Sequence, residues 1–429
     1  MQGDSLDRAI ITARRRLVPF LLLMYVISFL DRANIGFAKQ SFQADAHISE
    51  AAYALGAGLF FLSYAILEVP SNLIMHRVGA RLWMCRIMVT WGLIAAAMMF
   101  VASETWFYIL RLLLGAAEAG FFPGVILYLT YWFPDRVRGE IMGLFYFGAP
   151  IAFILGGPLS GLLLEMDGVA GLRGWQWMFM VEGLLATAVG IWAWWYLDSK
   201  PVEARWLPPS EKEALLAAVE AEEQARSEHS PAALRAAFTN PRILLFIAIY
   251  FLIQMSVYGV VFYLPSQVGQ LLGKKVGFEV GVVTAIPWIC AIVAAYVLPR
   301  AADRTGNRRV LAALTLAISG LGIAASAAAG PTLGLIALCF AASGFIAVQP
   351  MFWTFPTGYL SGVAAAGGIA LINAMGALGG FVAPNVKNWA DATLGIPNAG
   401  LYVLACTTLV GALLIVGMPR QRVALAIPQ

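Results

Sequence analysis

Charged side chains are scarce in this sequence. Only 12% of its 429 residues are Asp, Glu, Lys or Arg, 60% are hydrophobic, and the mean hydropathy is +0.78. Soluble domains carry about 25% charged residues. This chain has too few of them to form the polar surface of a water-soluble protein. Long apolar runs satisfy their own backbone hydrogen bonds in lipid when they form helices. We therefore expect an all-α membrane protein.

Histidine and cysteine are also few, and they lie far apart along the chain. They offer no ligand set for a metal ion and no spacing that favours a disulfide. They are His47, His76, His229, Cys85, Cys290, Cys339 and Cys406. No nucleophile–base set can be recognised either. We expect neither an enzyme nor a bound cofactor, and the modest net charge of +4 needs no nucleic-acid partner.

The amino-terminal residues 1–16 are polar and end in Arg14, Arg15 and Arg16, directly before the first apolar run. They lack the short apolar region and small-residue cleavage site of a secretory signal peptide. We expect the first span to be retained.

Twelve stretches have the roughly 20 mostly apolar residues with which a helix crosses the hydrocarbon. Six precede residue 198, at 17–37, 51–74, 82–101, 106–131, 140–164 and 176–197. Six follow residue 241, at 242–264, 279–298, 309–328, 332–354, 363–387 and 400–418. They predict twelve transmembrane helices in two domains, an N-terminal six-helix bundle (1–197) and a C-terminal six-helix bundle (242–429).

Residues 198–241 separate the two bundles. After Pro208 and Pro209, Ser210 and Glu211 are typical of a helix start, and the helical pattern that follows is polar on nearly every face. We expect a solvated cytoplasmic linker rather than a catalytic domain.

Lysine and arginine are distributed unequally between the two sides of the predicted spans. Of the 28 Lys and Arg residues, 20 fall on the side shared by both termini and 5 on the opposite side. Because cytoplasmic loops are enriched in Lys and Arg, we expect both termini of this multi-pass protein to be cytoplasmic.

Two pairs of similar segments relate the halves. Asn72–Arg81 follows the second span, as Pro299–Arg308 follows the eighth, and Phe-Pro pairs at 133–134 and 355–356 precede the fifth and eleventh spans. We infer two pseudo-symmetric bundles. Repeats of this kind place a substrate site at their interface, near the middle of the bilayer.

The segment Pro299–Arg308 resembles the loop signature of the major facilitator superfamily. In the N-terminal copy, Asn72 and His76 hold the usual Gly and Asp positions, a departure that suits one branch, the anion–cation symporter family with its tartrate and hexonate permeases. The stretches that carry this second resemblance are Phe29–Ala38, Glu68–Asn72, Arg111–Gly124 and Gly174–Trp177 with Glu182.

The resemblance implies the fold of that superfamily and a proton-coupled symporter of the bacterial inner membrane. It implies import, by alternating access, of a small organic carboxylate such as tartrate or a related hydroxy or sugar acid. The expected partners are this organic anion, protons as the coupling ion and membrane lipid, and we expect a monomer.

Seven charged residues fall within the predicted spans. A charge at a helix centre costs about 2.5–3.5 kcal/mol, so each is a functional candidate. They are Asp31, Arg32, Glu68, Arg86, Arg111, Glu118 and Glu182. Glu182 lies on the sixth span, which we expect to be an outer support that stands apart from the site.

Arg111 and Glu118 are seven residues apart, so they share a helix face at about 10.5 Å along the axis. The resemblance carries over an anion-binding role for Arg111 and a proton-coupling role for Glu118. The alternative is a structural ion-pair network that locks the helices together.

Asp31 and Arg32 are neighbours and lie about 100° apart on the helix, so they cannot both point at one spot. We expect one to face a cavity and the other to contact a neighbouring helix. In the resembling symporters the Asp takes part in proton coupling and the Arg in charge pairing or substrate attraction. We predict that Asp31 couples protons, or else orients Arg32 or Arg111.

Gate or loop contacts are predicted where charges lie at span ends. The residues assigned to them are Glu68, Arg77, Arg81, Asp303 and Arg304. Arg86, early in the third span, is expected to make contacts of the same kind.

The C-terminal spans contain no Asp, Glu, Lys or Arg away from their ends, so we expect a polar but uncharged wall there. Asn373, Trp353, Thr354 and, in the second span, Tyr64 match positions that line the site in resembling permeases. Gln254 and Tyr258, four residues apart, share a helix face and could donate hydrogen bonds to a substrate. For the aromatic residues, packing or interface anchoring is the alternative.

Other classes of membrane protein fit less well. A receptor or channel is one alternative, but the duplicated six-helix halves fit alternating access better. A proton-driven drug or metabolite exporter of the same fold is the remaining alternative, although two intramembrane arginines favour an anionic substrate.

Overall fold

The computed structural model describes the backbone of residues 2–227, 240–359 and 362–418, and this part of the chain is helical almost throughout. The N-terminal half contains α1 (Gln2–Ala46), α2 (Glu50–Val78), α3 (Ala80–Ala97), α4 (Glu104–Glu118), α5 (Phe121–Trp132), α6 (Asp135–Tyr146), α7 (Gly148–Leu164) and α8 (Gly174–Tyr196). Helix α9 (Pro209–Ser227) follows. The C-terminal half contains α10 (Pro241–Val261), α11 (Leu264–Leu272), α12 (Phe278–Thr305), α13 (Arg308–Ala328), α14 (Pro331–Tyr359), α15 (Gly362–Thr393) and α16 (Ala399–Gly417).

Eleven helical stretches of the described chain are long and apolar enough to cross a membrane. The remaining predicted span, 363–387, lies within the single helix α15. The prediction of an all-α membrane protein with twelve spans is therefore confirmed. Two of these spans are broken, since α4 and α5 share the fourth span and α6 and α7 share the fifth.

The break between α4 and α5 occurs at Gly120, two residues after Glu118. Gly120 has a φ of +86°, and a Cβ there would lie 2.3 Å from Oγ of Ser71. A side chain would be excluded by both the backbone conformation and the neighbouring helix. The break leaves Glu118 at the last turn of α4, inside the membrane.

Because an even number of spans returns the chain to the side where it began, both ends of the described chain lie on one side of the molecule, which we call the terminal side. Near the start of α1, the Arg16 carbonyl accepts from the Tyr196 hydroxyl at the end of α8. After α16, the Met418 carbonyl accepts from Arg309 at the start of α13. The opposite side, where α1 connects to α2, is called the far side.

The two halves meet along α7 with α12 and along α2 with α15. Toward the far side this contact is backbone against backbone. A Cβ on Gly281 would lie 2.1 Å from the Gly157 carbonyl oxygen, and one on Gly161 would lie 2.5 Å from that of Gly277. The Tyr53 hydroxyl lies 3.2 Å from the carbonyl oxygen of Phe262, in the other half. The far side is therefore closed.

The linker helix α9 differs from the solvated helix that we expected. Leu215 is fully buried, and the helix packs against α1. Glu222 forms an ion pair with Arg138 at 3.1 Å. Val219, one turn after Leu215, also packs against the core, so a narrow apolar stripe docks the helix on the N-terminal half. Residues 228–239 of the predicted linker lie outside the described residues.

We predict that Gly281→Val opens the far side, because the closed seam there leaves no room for a side chain. The reporter is a cysteine at position 266, a buried far-side serine, in a variant whose native cysteines are replaced by serine. Its labelling by a membrane-impermeant maleimide is expected to rise by about fivefold or more as the population shifts. Gly417→Val is the control, since a Cβ there has no atom within 4 Å. Unchanged labelling in folded Gly281→Val protein would contradict the prediction.

Candidate functional site

A cavity of about 480 Å³ lies between the two halves. It extends from Arg32 on α1 to Gly143 on α6 and to Arg300 near the terminal-side end of α12. Aromatic side chains form a large part of its wall. Its aromatic lining residues are Tyr25, Phe29, Phe61, Tyr64, Phe122, Tyr146, Phe147, Phe153, Tyr250 and Tyr258.

Arg32 is the charged group at the inner end of this cavity. Its Nε and Nη2 atoms both donate to Oε1 of Glu118, at 2.8 and 2.5 Å. Its Nη1 atom donates to the Tyr258 hydroxyl in the other half, at 3.3 Å. The second oxygen of Glu118, Oε2, is buried and has no partner within the described chain. The guanidinium thus connects a carboxylate of its own half to a neutral hydroxyl of the opposite half.

Aromatic rings hold the Arg32 guanidinium in place. Its central carbon lies 5.0 Å from the ring centroids of Phe29 and Tyr64, and 5.4 Å from that of Phe60. Rings at this distance attract a cation through their negative faces, more strongly where water is excluded. Tyr64 thus lies beside Arg32 and lines the cavity; its role in the site stays a prediction.

Asp31 points away from the cavity. Its two oxygens accept hydrogen bonds from Nε1 of Trp91 on α3, at 2.8 Å, and from Nδ2 of Asn34, at 3.1 Å. The adjacent residues thus serve two surfaces, as their angular separation requires: Arg32 faces the cavity, and Asp31 faces a neighbouring helix.

Arg111 is placed differently from our expectation. It is buried, and its Nε and Nη2 atoms donate to the carbonyl oxygens of Gly56 and Ala57 on α2, each at 3.1 Å. It is not among the residues that line the cavity, where we expected it to bind the anion; the guanidinium at the cavity is that of Arg32, which is paired with Glu118. The small residues of α2 expose their carbonyl groups to α4, and this determines where the guanidinium goes.

Three of the predicted C-terminal residues line the cavity: Gln254, Tyr258 and Asn373. Nδ2 of Asn373 donates to Oε1 of Glu68 in the other half, at 2.9 Å. Oε1 of Gln254 and Oε2 of Glu68 are buried acceptors without a partner in the described residues. Glu68 therefore belongs to the wall between the halves rather than to a surface loop.

Trp353 and Thr354 are not among the cavity-lining residues. The Trp353 ring packs edge-on against Tyr250, which does line the cavity, with centroids 4.9 Å apart. Thr354 bonds to the Met351 carbonyl and faces a second cavity on the terminal side of the C-terminal half. The resemblance to permeases predicted where these two residues lie along the helix, but it could not predict the direction of their side chains.

The predicted gate residues of the loops lie on the terminal side, in two separate places. Asp303 accepts from Arg308 at 2.7 Å, and Arg304 one residue later is exposed. In the N-terminal half, the Arg81 guanidinium lies 5.0 Å from the Trp194 ring centroid, and Arg77 is exposed. Their role in gating stays a prediction.

Arg300 is a cavity residue that the sequence analysis missed. Helix α12 continues to Thr305, past the predicted end of the span at 298, and carries Arg300 to the cavity mouth. Its guanidinium lies 3.5 Å from the Tyr296 ring centroid, and Nη1 donates to the Tyr296 carbonyl at 2.8 Å. The i, i+4 spacing of Tyr296 and Arg300 was the available signal. The wall of the C-terminal half is therefore not uncharged.

Within the described residues, no group of three or more His, Cys, Asp and Glu side chains could hold a metal ion. The family model of the Major Facilitator Superfamily matches residues 21–384. The chain belongs to this superfamily. It is a multi-pass membrane protein and a secondary transporter, not an enzyme.

Full-length relatives have transport names. The chain is 50% identical to "Inner membrane transport protein RhmT" of Escherichia coli (strain K12), over 97% of this chain and 96% of that protein. It is 43% identical to a "Putative tartrate transporter" of Agrobacterium vitis, over 95% and 90% of the two chains. The crystal structure of a D-xylose-proton symporter has the same fold, with a TM-score of 0.72 at 17% identity over 93% of this chain and 96% of that one.

Proposed function

We propose that this protein is a proton-coupled symporter of the inner membrane that imports a small organic carboxylate, such as tartrate or a related hydroxy or sugar acid. The observation that carries the proposal is the Arg32 guanidinium at the inner end of a cavity between the halves, paired with Glu118. A guanidinium offers a planar fork that fits a carboxylate. The name of the Agrobacterium vitis relative supports a substrate of the tartrate class.

Glu118 couples the substrate to a proton by competition for Arg32. The Nε and Nη2 edge of Arg32 is occupied by Oε1 of Glu118, so a substrate carboxylate cannot use this edge while Glu118 is charged. A protonated Glu118 loses its charge-assisted hold on the guanidinium. Proton binding thus frees the fork for the substrate, and loss of the proton after substrate release restores the ion pair.

Contacts across the halves connect this exchange to alternating access. Arg32 reaches Tyr258, and Asn373 reaches Glu68. A carboxylate on Arg32 would contact residues of both halves and change their relative stability in the two orientations. The terminal side, with most of the Lys and Arg residues, is the cytoplasm in this proposal. The structure then corresponds to a state that is closed to the periplasm.

The aromatic wall of the cavity favours a second candidate, a proton-driven exporter of drugs or metabolites. Aromatic rings bind flat or apolar compounds without requiring hydrogen bonds of defined geometry. The two functions differ in direction. An inward proton gradient drives uptake of a carboxylate by a symporter, whereas the same gradient drives loss of a drug through an exporter.

The first test of the proposal separates the two intramembrane arginines. Arg32→Lys keeps the charge but loses the planar fork, so its Kd for a carboxylate such as tartrate should rise by about tenfold or more. Arg111→Lys is the matched control, since Arg111 bonds to α2 carbonyl groups. Isothermal titration of both purified variants measures the Kd. A larger loss in folded Arg111→Lys than in Arg32→Lys would exclude the assignment of Arg32.

A second test concerns Glu118→Gln, which imitates the protonated carboxyl permanently. Exchange of labelled for unlabelled substrate across the membrane needs no proton release, so it should persist at about wild-type rate, within threefold. Uptake driven by a pH gradient should be lost. Both activities are measured in one proteoliposome preparation.

Structural alternatives for Glu118 give a different pattern. If the ion pair with Arg32 only locks helices together, Glu118→Gln lowers the melting temperature and impairs exchange and net uptake equally. Retained gradient-driven accumulation would likewise refute the coupling role.

Arg300 provides a prediction about sidedness. Because it lies at the terminal-side mouth of the cavity, Arg300→Gln should weaken the apparent affinity for carboxylate on the cytoplasmic side by about threefold to tenfold and leave the periplasmic KM unchanged. The control is Arg205→Gln, an exposed residue that follows α8. Transport measured in right-side-out and inside-out vesicles tests this. Equal effects on both sides would contradict it.

A further inference from the structure

Another cavity between the two halves lies on the far side, and we call it the far-side cavity. Its volume is about 380 Å³, and α1, α2, α11 and α15 contribute to its wall. Lys39 on α1 reaches it from the N-terminal half, and Lys387 on α15 reaches it from the C-terminal half. The proposed transport cycle gives neither lysine a role.

Lys39 is buried although it carries a charge, since it is only 9% exposed. Its Nζ atom donates to Oε1 of Glu50 at 2.7 Å and lies 5.4 and 5.3 Å from the ring centroids of Tyr53 and Tyr263. Tyr53 belongs to the same half as Lys39, whereas Tyr263 belongs to the other half. The Glu50 side chain is 59% exposed. The ammonium group therefore lies inside the cavity wall, while its partner acid faces solvent.

Lys387 brings a second ammonium group to the same ring. Its Nζ atom donates to Oδ2 of Asp391 at 2.7 Å and lies 4.1 Å from the Tyr263 ring centroid. An ammonium has three N–H donors, and each lysine uses one of them on an acid of its own half, Glu50 or Asp391. Within the described part of the chain, donors therefore remain on both lysines for a ligand with acceptor oxygens. Such a ligand need not displace either acid.

Ser266 on α11 adds a buried hydroxyl to the far-side cavity. The residue is 6% exposed and lines the cavity, and its Oγ atom has no hydrogen-bond partner among the described residues. A buried hydroxyl without a partner is unfavourable, and a bound ligand would provide one. Two ammonium groups beside one ring also repel each other, and an anion between them removes this repulsion. The cavity therefore suits a ligand that carries negative charge and several acceptor oxygens.

We propose that the far-side cavity binds a small organic dicarboxylate between Lys39 and Lys387, and that this ligand holds the far side closed. One carboxylate accepts from each lysine, and the Ser266 hydroxyl donates to the same ligand. Because the two lysines belong to different halves, one small ligand can contact both only while the halves are together. Its binding therefore shifts the population toward the closed state. The inference takes the class of its ligand from the proposed function and adds an inhibitory site to it.

Labelling of a cysteine at position 270 tests the proposal. Gln270 is exposed and lines the far-side cavity, so Gln270→Cys, with the native cysteines replaced by serine, reports occupancy through its rate of reaction with a maleimide. Tartrate should slow this reaction by about fivefold or more relative to sodium acetate, a monocarboxylate used at equal ionic strength to correct for screening. Lys387→Gln should reduce the effect to about twofold or less, whereas Lys387→Arg keeps the charge and should retain most of it.

Two controls accompany this measurement. Val169→Cys places a reporter at an exposed position between α7 and α8, outside the cavity lining, and tartrate should leave its rate unchanged. Arg32→Lys weakens the proposed transport site in the other cavity, so protection at position 270 should persist in it. If Lys387→Gln does not fold, Ser266→Ala takes its place and should weaken the protection by about threefold, because it removes one donor.

Uptake measurements test the effect on the far side. In proteoliposomes, uptake should fall by about twofold or more at high external tartrate, and Lys387→Gln should abolish this decline. The same decline in both proteins overturns the inhibitory role. Equal protection at position 270 by acetate and tartrate overturns the site, as does protection that is lost in Arg32→Lys but kept in Lys387→Gln. Protection that depends on Lys387, in a protein that transports no carboxylate, would instead overturn the proposed function and leave the far-side site in place.

Discussion

The site depends on one interaction, the buried ion pair between Arg32 and Glu118. Removing either partner from such a pair leaves an uncompensated charge in a low-dielectric interior, at a cost of about 3–5 kcal/mol. The pair is only partly satisfied, since Oε2 of Glu118 has no partner in the described chain. Such an ion pair suits a transporter, because two ligands can compensate for breaking it. A substrate carboxylate can replace Glu118 as the partner of Arg32, and a proton can neutralise the carboxylate of Glu118.

Local backbone features hold this pair inside the membrane. The break at Gly120 ends α4 directly after Glu118, and the α2 segment that carries Phe60 and Tyr64 supplies rings beside Arg32. A broken helix in lipid is tolerated where its freed backbone groups face protein. Arg111 adds a second constraint by joining α4 to α2 through two carbonyl oxygens. The Arg111 guanidinium thus holds two helices of the site together and does not face the cavity.

The fold could be predicted from the sequence because lipid imposes a length and a composition on every span. The site could be predicted only in part. Helical geometry sufficed to separate Asp31 from Arg32. It could not tell how α4 is rotated against its neighbours, so it could not show that Arg111 bonds to α2 instead of facing the cavity. The prediction that Trp353 and Thr354 line the cavity was wrong for the same reason. The position of a residue along a helix does not determine the direction of its side chain. Arg300 was missed because hydropathy ends a span where the apolar residues end, whereas the helix α12 continues to Thr305.

The distribution of buried acids between the halves constrains how protons control access. Asp31, Glu68, Glu118 and Glu182 all belong to the N-terminal half, and the C-terminal half contributes neutral donors to the cavity centre. The C-terminal half can therefore sense the protonation state mainly through the bonds that cross the cavity, from Arg32 to Tyr258 and from Asn373 to Glu68. Each of these bonds has one end on a residue whose charge balance a proton changes. The Gly157–Gly281 seam on the far side offers no such group, since it is built of backbone. Protonation thus acts at the cavity centre. The contact between Gly157 and Gly281 opens or closes as a consequence, because packed helices move as rigid bodies.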